Sequence, residues 1–524
     1  MPTFKLDGQE IPFEPGQSIM QAAWRHGIEI PHYCWHPGLS VAANCRMCLV
    51  EIKAERPVMM PVLKWDGQKQ AFAPAVKPKL QPACQMPAVE GQEVFAKSSE
   101  ALSAQHSVQE FLLLNHPVDC PICDQAGECK LQDYWLTSQG QLKRKHTEPV
   151  HKPKAVRFGP TIVYDGERCI MCTRCIRVCD ELAHDHVLDM RERGNKNEIM
   201  VSPGRQLDHR YTLMTEHVCP VGALTSKDFR FKARVWFLRA KKSVCAGCAT
   251  GCNSFIDYDP RDGKVYRLRP RDNPQVNKFW MCDDGMMTYR RIHEGRLTHG
   301  LIRQGAERET SPADALQAAA AALRVEGGGK LAVVLSAEHC SEDNLAAVKL
   351  AAALGSDKLF LAALPGWEGD AILRSRDNNP NRKGALQAAG REIPGLSALL
   401  PAVASGEVTA VLALGSISAE DVSTLASLRA LPLVALASHA GALTKVAKVV
   451  VPVAVYAEMD GTFVNEKGMA QRFQPAVAAP EGVRPAWETL AALAKALGKD
   501  LGFSQLADLR KGLGAGAPAA EARP

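Results

Sequence analysis

No uninterrupted apolar run of about 18 residues, the length that spans a bilayer, occurs in this chain. The alanine- and valine-rich stretch from Leu431 to Val455 comes nearest, but His439, Lys445 and Lys448 interrupt it. Residues Met1 to Ile11 have neither a basic n-region nor an apolar h-region, so no secretory signal is expected. These absences point to the cytosol or a similar compartment, with a membrane reached only through partners. Charge of one sign is scarce as well: the formal net charge is +6 over 524 residues. Nucleic-acid binding needs a dense basic stripe with groove-reading or base-stacking residues. The two basic stretches, around Lys143, Arg144 and Lys145 and from Lys227 to Lys242, read instead as a solvated connector or docking face.

What remains is ordinary globular material, 46% apolar and 23% charged, long enough for three or four domains. Cysteine is the informative residue. Of 17, 16 lie between Cys34 and Cys282 and only Cys340 falls beyond. Dense cysteine without a secretory signal argues for metal binding over disulfides, and thiolates select zinc, copper(I) or iron-sulfur clusters.

The layout is legible in outline. Phe4 and Leu6, the pair Asp7-Gly8, then Ile11 and Phe13 predict a hairpin over residues 3–13. Ser18 and Gln21 form a capping box opening a helix through Ala22 and Trp24. From about Ser98 to Asn115 the pattern is helical, with Leu102, Val108, Phe111, Leu112 and Leu114. Residues 143–160, with Pro149, Pro153 and Pro160, predict an exposed connector. Beyond about residue 300, strand and helix signals alternate: Ser311 with Pro312 and Asp314, Ser341, and Ser418 with Asp421 open helices. The apolar runs Leu331 to Leu335, Val408 to Leu414, Leu433 to Leu436 and Val449 to Val453 predict a parallel sheet. The tail from Gly512 to Pro524 is rich in Gly, Ala and Pro and is expected to be disordered.

Four ligand sets emerge from the spacing. Cys34, Cys45 and Cys48 form C-x10-C-x2-C, with Cys84 following after 35 intervening residues, the logic of plant-type two-iron ferredoxins; a zinc site is the alternative. His116, Cys120, Cys123 and Cys129 form H-x3-C-x2-C-x5-C, which fits either a histidine-ligated cluster or a zinc site of three cysteines and one histidine. Cys169, Cys172 and Cys175 with remote Cys219-Pro220 follow the bacterial ferredoxin arrangement. Cys179 extends that run, but Asp180 replaces the expected proline, and it reads as a free buried thiol. Cys245, Cys248, Cys252 and Cys282 form C-x2-C-x3-C-x29-C, where Gly247 and Gly251 permit close backbone approach; a zinc ribbon is the alternative. Arg46, Arg174 and Arg177 lie in or beside these loops and either tune the sites or are ordinary surface charge.

The order of the four sets, with the odd histidine in the second, resembles the large iron-sulfur subunit of the NADH dehydrogenase module of respiratory complex I. The segment Glu458-Met-Asp-Gly461-Thr462-Phe-Val-Asn465-Glu466 resembles a late segment of the molybdopterin oxidoreductase fold. The resemblance implies a multidomain α+β and α/β chain. Its parts would be a [2Fe-2S] ferredoxin-like β-grasp domain (1–85), a [4Fe-4S] domain with one histidine and three cysteine ligands (86–150) and a ferredoxin-like [4Fe-4S] domain (151–235). A molybdopterin-oxidoreductase-type [4Fe-4S] domain (236–298), a truncated α/β scaffold without molybdenum (299–512) and a tail (513–524) would follow.

It also implies a [2Fe-2S] cluster on the first set and a [4Fe-4S] cluster on each of the other three, the fourth lying off the main path. Electrons would enter at the Cys34 set from a flavin-bearing NADH-oxidising subunit and pass to the Cys169 set, then to the His116 set. A ferredoxin-like [4Fe-4S] subunit of the connecting arm would receive them, with quinone the final acceptor. Other complex I subunits would complete the peripheral arm on the cytoplasmic side of the bacterial inner membrane. The chain departs from molybdenum enzymes of that fold: Cys340 sits near a helix start, and about 240 residues are too few for a full set of cofactor domains. Nor is there a GxGxxG fingerprint, or anything resembling an FMN or NADH site. The same N-terminal half also occurs in relay subunits of NAD-linked hydrogenases and formate dehydrogenases, which is the alternative function. A zinc-binding structural protein is a more distant one.

Overall fold

The computed structural model describes residues 1–53, 59–138, 148–324, 330–416 and 428–513. The basic residues Lys143 to Lys145, the helix start expected at Ser418 and Asp421, and the tail beyond Leu513 lie outside them. The chain divides into two compact units, Met1–Val235 and Trp236–Pro524.

The first unit opens with the hairpin Thr3–Leu6 and Gln9–Pro12, in register Phe4↔Ile11. Asp7 and Gly8 both take positive φ, 49° and 88°, as a two-residue turn matching strand twist demands. Ser18 then caps the helix Ile19–Arg25, its hydroxyl accepting from Gln21 N while the Gln21 side chain accepts from Ser18 N. A five-stranded sheet in the order Gln9–Pro12, Thr3–Leu6, Glu93–Phe95, Leu49–Lys53, Gln81–Pro82 buries Phe4, Leu6, Ile11, Val50 and Val94 against this helix. Glu93–Phe95 is its central strand, parallel to Thr3–Leu6. That corrects the boundary expected at residue 85, because the sheet closes only with this later strand.

The helix expected from Ser98 runs Ser99–Leu113. Its buried face is Ala101, Gln105 and Gln109, whereas Leu102 and Phe111 are exposed. The glutamines are satisfied there by the carbonyls of Ala96 and Tyr134. Further on, Val156–Arg157, Ile162–Tyr164 and Leu224–Ser226 form a three-stranded antiparallel sheet, and Leu188–Arg191 and Glu198–Val201 a separate hairpin. The short helix Arg174–Arg177 continues as a π-helical turn, Val178–Leu182.

The second unit begins with the antiparallel meander Arg239–Val244, Asn253–Asp259, Lys264–Pro270. Its main body is a seven-stranded sheet in the order Ala306–Thr310, Gly300–Gln304, Val449–Pro452, Leu433–Ala437, Ala410–Leu414, Leu331–Ser336, Leu359–Ala362. The last five strands are mutually parallel. Strand alternation splits the core in two. Val333, Leu335, Leu412 and Leu436 pack on the helices Pro312–Arg324, Ser341–Ala353 and Ala486–Ala496, while Val334, Val411 and Ala435 pack on Leu399 and Leu443. The four apolar runs of the sequence are thus neighbouring parallel strands covered on both faces.

Candidate metal centres

The first set converges at one end of the five-stranded sheet. Ala83 N donates to Cys48 O at 2.9 Å and Met20 N donates to Ala83 O at 3.0 Å, tying the Cys48 and Cys84 segments to the first helix. The four thiols meet as two pairs. The Cys45 thiol donates to Cys34, which with main-chain N–H groups of Cys45 and Asn44 pulls Cys34 down to about 5. The Cys48 thiol likewise donates to Cys84 and lowers it, while Cys45 and Cys48 are raised by their partners and by burial. Ala43 and Arg46 take positive φ, 51° and 58°, bending the loop so that main-chain N–H groups turn inward, the nest geometry that suits anionic groups. Arg46 itself is exposed.

In the second set, Cys129 is the N-cap of the helix Lys130–Thr137. Cys120 and Cys123 lie close enough to act on its charge, and burial pushes Cys129 up to about 11. His116 is half-buried and its Nδ1 is fully buried without a hydrogen-bond partner. Burial pushes its pKa down to about 4, so at neutral pH it offers the neutral imidazole that a metal takes. Arg168 acts on both His116 and Cys123. Nothing in the spacing pointed to Arg168 beyond its place next to Cys169.

In the third set Cys169 and Cys172 lie on the loop before the helix Arg174–Arg177, Cys175 lies within that helix, and Cys219 follows the helix Leu213–His217. Burial raises the Cys175 thiol well above the ordinary range, and Cys172, Cys169 and Cys219 act on its charge in the same direction. Met171 and Thr173, alternating with the ligands, have φ of 53° and 61°, again wrapping main-chain N–H groups inward, with Met171 N donating to Cys169 Sγ at 3.4 Å. Cys179 is fully buried, its sulfur 3.4 Å from His209 Nε2.

The fourth set belongs to the second unit. Cys245 follows one meander strand, Cys252 precedes the next, and Cys245 N donates to Cys252 O at 2.8 Å. Cys282 caps the helix Asp283–Met287, accepting from Gly285 N at 3.3 Å. Cys245, Cys248 and Cys282 all act on Cys252, which burial raises. A Cβ at Gly285 would stand 3.2 Å from Cys245 Sγ and 3.4 Å from Cys282 Sγ, so this glycine floors a space both sulfurs face. Among the described residues no three Cys, His, Asp or Glu side chains converge as they would on one metal ion. Cys340 caps Ser341–Ala353 and borders a cavity of about 340 Å³, together with His339, Gly415, His439 and Tyr456. Burial keeps its thiol neutral.

Thiols that are mostly buried or half-buried, a neutral imidazole with an orphaned nitrogen and inward-turned main-chain N–H groups are the donor set of iron-sulfur proteins. The class is therefore a multi-centre iron-sulfur protein, ferredoxin-type domains preceding an α/β domain. Residues 1–99 match the family described as 2Fe-2S iron-sulfur cluster binding domain, and 105–139 the NADH-ubiquinone oxidoreductase-G iron-sulfur binding region. Residues 159–225 match the NADH-quinone oxidoreductase subunit 3, ferredoxin-like domain, 238–294 the Molybdopterin oxidoreductase Fe4S4 domain, and 373–496 Molybdopterin oxidoreductase. The chain belongs to the G-subunit family of NADH-quinone oxidoreductase.

The G subunit of the Streptomyces coelicolor NADH-quinone oxidoreductase is 35% identical over 355 residues, 67% of this chain and 39% of that protein. The mitochondrial NADH dehydrogenase [ubiquinone] iron-sulfur protein 1 of Solanum tuberosum is 34% identical over 71% of this chain and 47% of its own length. The corresponding G subunit of Rickettsia prowazekii is 37% identical over 57% and 41%. This chain thus spans less than half the length of these relatives. One polypeptide of an NAD+-reducing [NiFe]-hydrogenase in the H2-reduced state is 28% identical over 45% of this chain and 91% of its own, with a TM-score of 0.36, a superposition too loose to bear on function.

Proposed function

We propose that this chain is the iron-sulfur electron-relay subunit of the NADH dehydrogenase module of complex I. It would hold a [2Fe-2S] cluster on Cys34, Cys45, Cys48 and Cys84. Three [4Fe-4S] clusters would sit on His116/Cys120/Cys123/Cys129, on Cys169/Cys172/Cys175/Cys219 and on Cys245/Cys248/Cys252/Cys282. No molybdenum is assigned to the chain. Such clusters, when bound, take up and release single electrons.

The observation that carries the reading is that the matched iron-sulfur and ferredoxin-like regions 1–99, 105–139, 159–225 and 238–294 each enclose one of the four sets, and within the first set Cys34 lies by Cys45 and Cys48 by Cys84. Two thiol pairs suit two adjacent irons with two protein ligands each. In the other sets burial raises most of the thiols, a cost that binding to iron offsets by deprotonating them outright. The main-chain N–H groups at Met171, Gly247 and Gly285 already point at ligand sulfurs and would favour their charged form.

A flavin-bearing NADH-oxidising subunit would supply electrons and a ferredoxin-like [4Fe-4S] subunit would receive them on the way to quinone. Cys120 is exposed and flanked by exposed Val118 and Ile122, which supports the second set as the edge facing the receiving partner. The chain would sit in the peripheral arm, on the cytoplasmic side of a bacterial inner membrane; no helix among the described residues is long and apolar enough to cross a membrane. The three relatives are all subunits of NADH-quinone or NADH-ubiquinone oxidoreductases, which favours this complex over a hydrogenase or formate dehydrogenase.

The test is low-temperature EPR of the dithionite-reduced protein with elemental analysis. The reading requires one [2Fe-2S] signal, three [4Fe-4S] centres and about 14 iron atoms per chain. Stoichiometric zinc in any set, or stoichiometric molybdenum, overturns the corresponding assignment.

A further inference from the structure

Two buried arginines on one short helix join the first cysteine set to the third. Arg174 and Arg177 stand three residues apart on Arg174–Arg177 and so project from one face; they are only 8% and 9% exposed. Arg177 Nη2 donates to Cys34 O at 2.5 Å and to Cys172 O at 3.3 Å, and Nη1 donates to Ser40 O. Arg174 repeats the pattern one step outward. Its Nη1 donates to Val218 O, next to Cys219, at 3.1 Å, and its Nη2 donates to Trp35 O, next to Cys34. Glu181 fastens the same loop edge by accepting from Ser40 N at 2.8 Å and Ser40 Oγ at 2.5 Å.

Among the described residues neither guanidinium is ion-paired with a carboxylate, and both Nε atoms are buried without a hydrogen-bond partner. Carbonyl oxygens alone compensate a buried cation poorly, and two such cations side by side call for an anion. Thiolate-bound clusters on the Cys34 and Cys169 sets would be the anions that this pair of charges faces.

We propose that Arg177, supported by Arg174, is a positioning residue for electron passage between these two sets: it locks the two ligand loops together and holds both groups at a raised potential. This rests on the cluster assignment above. With the clusters bound, one electron would leave the reduced two-iron group held by the Cys34 set and be taken up by the oxidised four-iron group held by the Cys169 set. No bond would form or break and no proton would move in this transfer. A nearby cation favours the more negative, reduced form of each group. Removing it therefore moves both potentials down together, and removes the hydrogen-bonded bridge from Cys34 through Arg177 to Cys172.

The test is an EPR-monitored redox titration of the full chain in its assembled complex, comparing Arg177→Gln, Arg177→Lys and the exposed charge control Arg25→Gln. In Arg177→Gln the reduced-to-oxidised ratio at a fixed poise should fall about tenfold for both centres, about 59 mV for a one-electron couple. Arg177→Lys, which keeps the charge, should restore most of both shifts. If Arg177→Gln loses iron, Arg174→Gln takes its place and should lower both centres in the same direction. A shift in only one centre, a shift no larger than that of Arg25→Gln, or no recovery with lysine overturns the proposal. Absence of both signals from the unsubstituted protein would overturn the cluster assignment instead.

Discussion

Gly222 faces Cys123 so closely that a Cβ on the glycine would lie 2.3 Å from the sulfur. The segment after Cys219 of the third set therefore forms a wall of the second, and Lys130 N, following Cys129, donates to Pro220 O at 2.9 Å across the same seam. The two sets share one packed boundary, in which no side chain fits at position 222.

Gly222→Ala should accordingly push Cys123 out of place. Overpacking of this kind costs roughly 1–3 kcal/mol, and the displaced ligand should release the second centre while the first survives. Iron analysis should show about four fewer atoms per chain, and EPR should retain the two-iron signal. An unchanged four-iron spectrum would show that Cys123 is not a ligand.

His116 gives the second test. A neutral imidazole in place of a thiolate leaves a cubane with one negative charge less, which favours reduction, as the two histidines of Rieske centres do. His116→Cys should keep a four-iron cluster at a lower potential, and His116→Ala should lose it or leave a labile corner. If this centre is the exit, both variants slow electron flow to quinone but spare transfer to an artificial acceptor at the flavin. An unaltered spectrum in His116→Ala would remove His116 from the ligand set.

Local signals carried the legible part of this molecule. The Asp7-Gly8 turn and the Ser18-Gln21 capping box lie within a few residues, and the four C-terminal apolar runs announce strands buried on both faces. The strands Gly300–Gln304 and Ala306–Thr310 gave no such signal, because that edge carries Arg303, Glu307, Arg308 and Glu309. Glu93–Phe95 was hidden for another reason: three residues find their place only by pairing with Lys5 and Leu6 on one side and with Glu51, Ile52 and Lys53 on the other, all far back in the chain. The ligand sets were visible as spacing. Arg177 was visible as a charge beside a ligand loop but not as a link between two sets, and Arg168 and Gly222 were not legible as positioning groups: main-chain carbonyls for Arg177, the Asp119 carboxylate for Arg168 and the Cys123 sulfur for Gly222 are brought to them only by folding.

The buried Asp257 predicts a pH-independent stability contribution in the second unit. Arg267 Nε donates to it at 2.7 Å, and Arg269 donates through Nε at 2.6 Å and Nη2 at 2.9 Å. Burial pushes its pKa up, but the two guanidiniums outweigh burial and hold it below the usual carboxylate range. A depressed pKa gives stability that is complete above the ordinary value and is lost only as pH falls through the folded value. Asp257→Asn, which removes the buried carboxylate that Arg267 and Arg269 share, should cost roughly 3–5 kcal/mol and lower Tm by at least roughly 6 °C. The loss should be equal at about pH 6 and about pH 9. A difference that grows between those values would mean that Asp257 titrates in that range.

The fourth set predicts a separation of stability from turnover. Its loop is clasped by the rest of its own unit: Ala249 N donates to Asp377 O, Thr250 Oγ1 to Leu373 O, Asn465 Nδ2 to Thr250 O and Gln471 Nε2 to Gly251 O. A centre wrapped this way shares its binding free energy with folding, so Cys282→Ala should lower the unfolding temperature and the yield of assembled complex. The family resemblance sets this centre off the main path, which makes it a structural element for turnover purposes. NADH-to-quinone activity normalised to assembled complex should therefore remain measurable while about four iron atoms per chain are lost. A near-total loss of activity in a fully assembled variant would instead place the Cys245 set on the electron path, and the clasping loops would then be holding a working carrier.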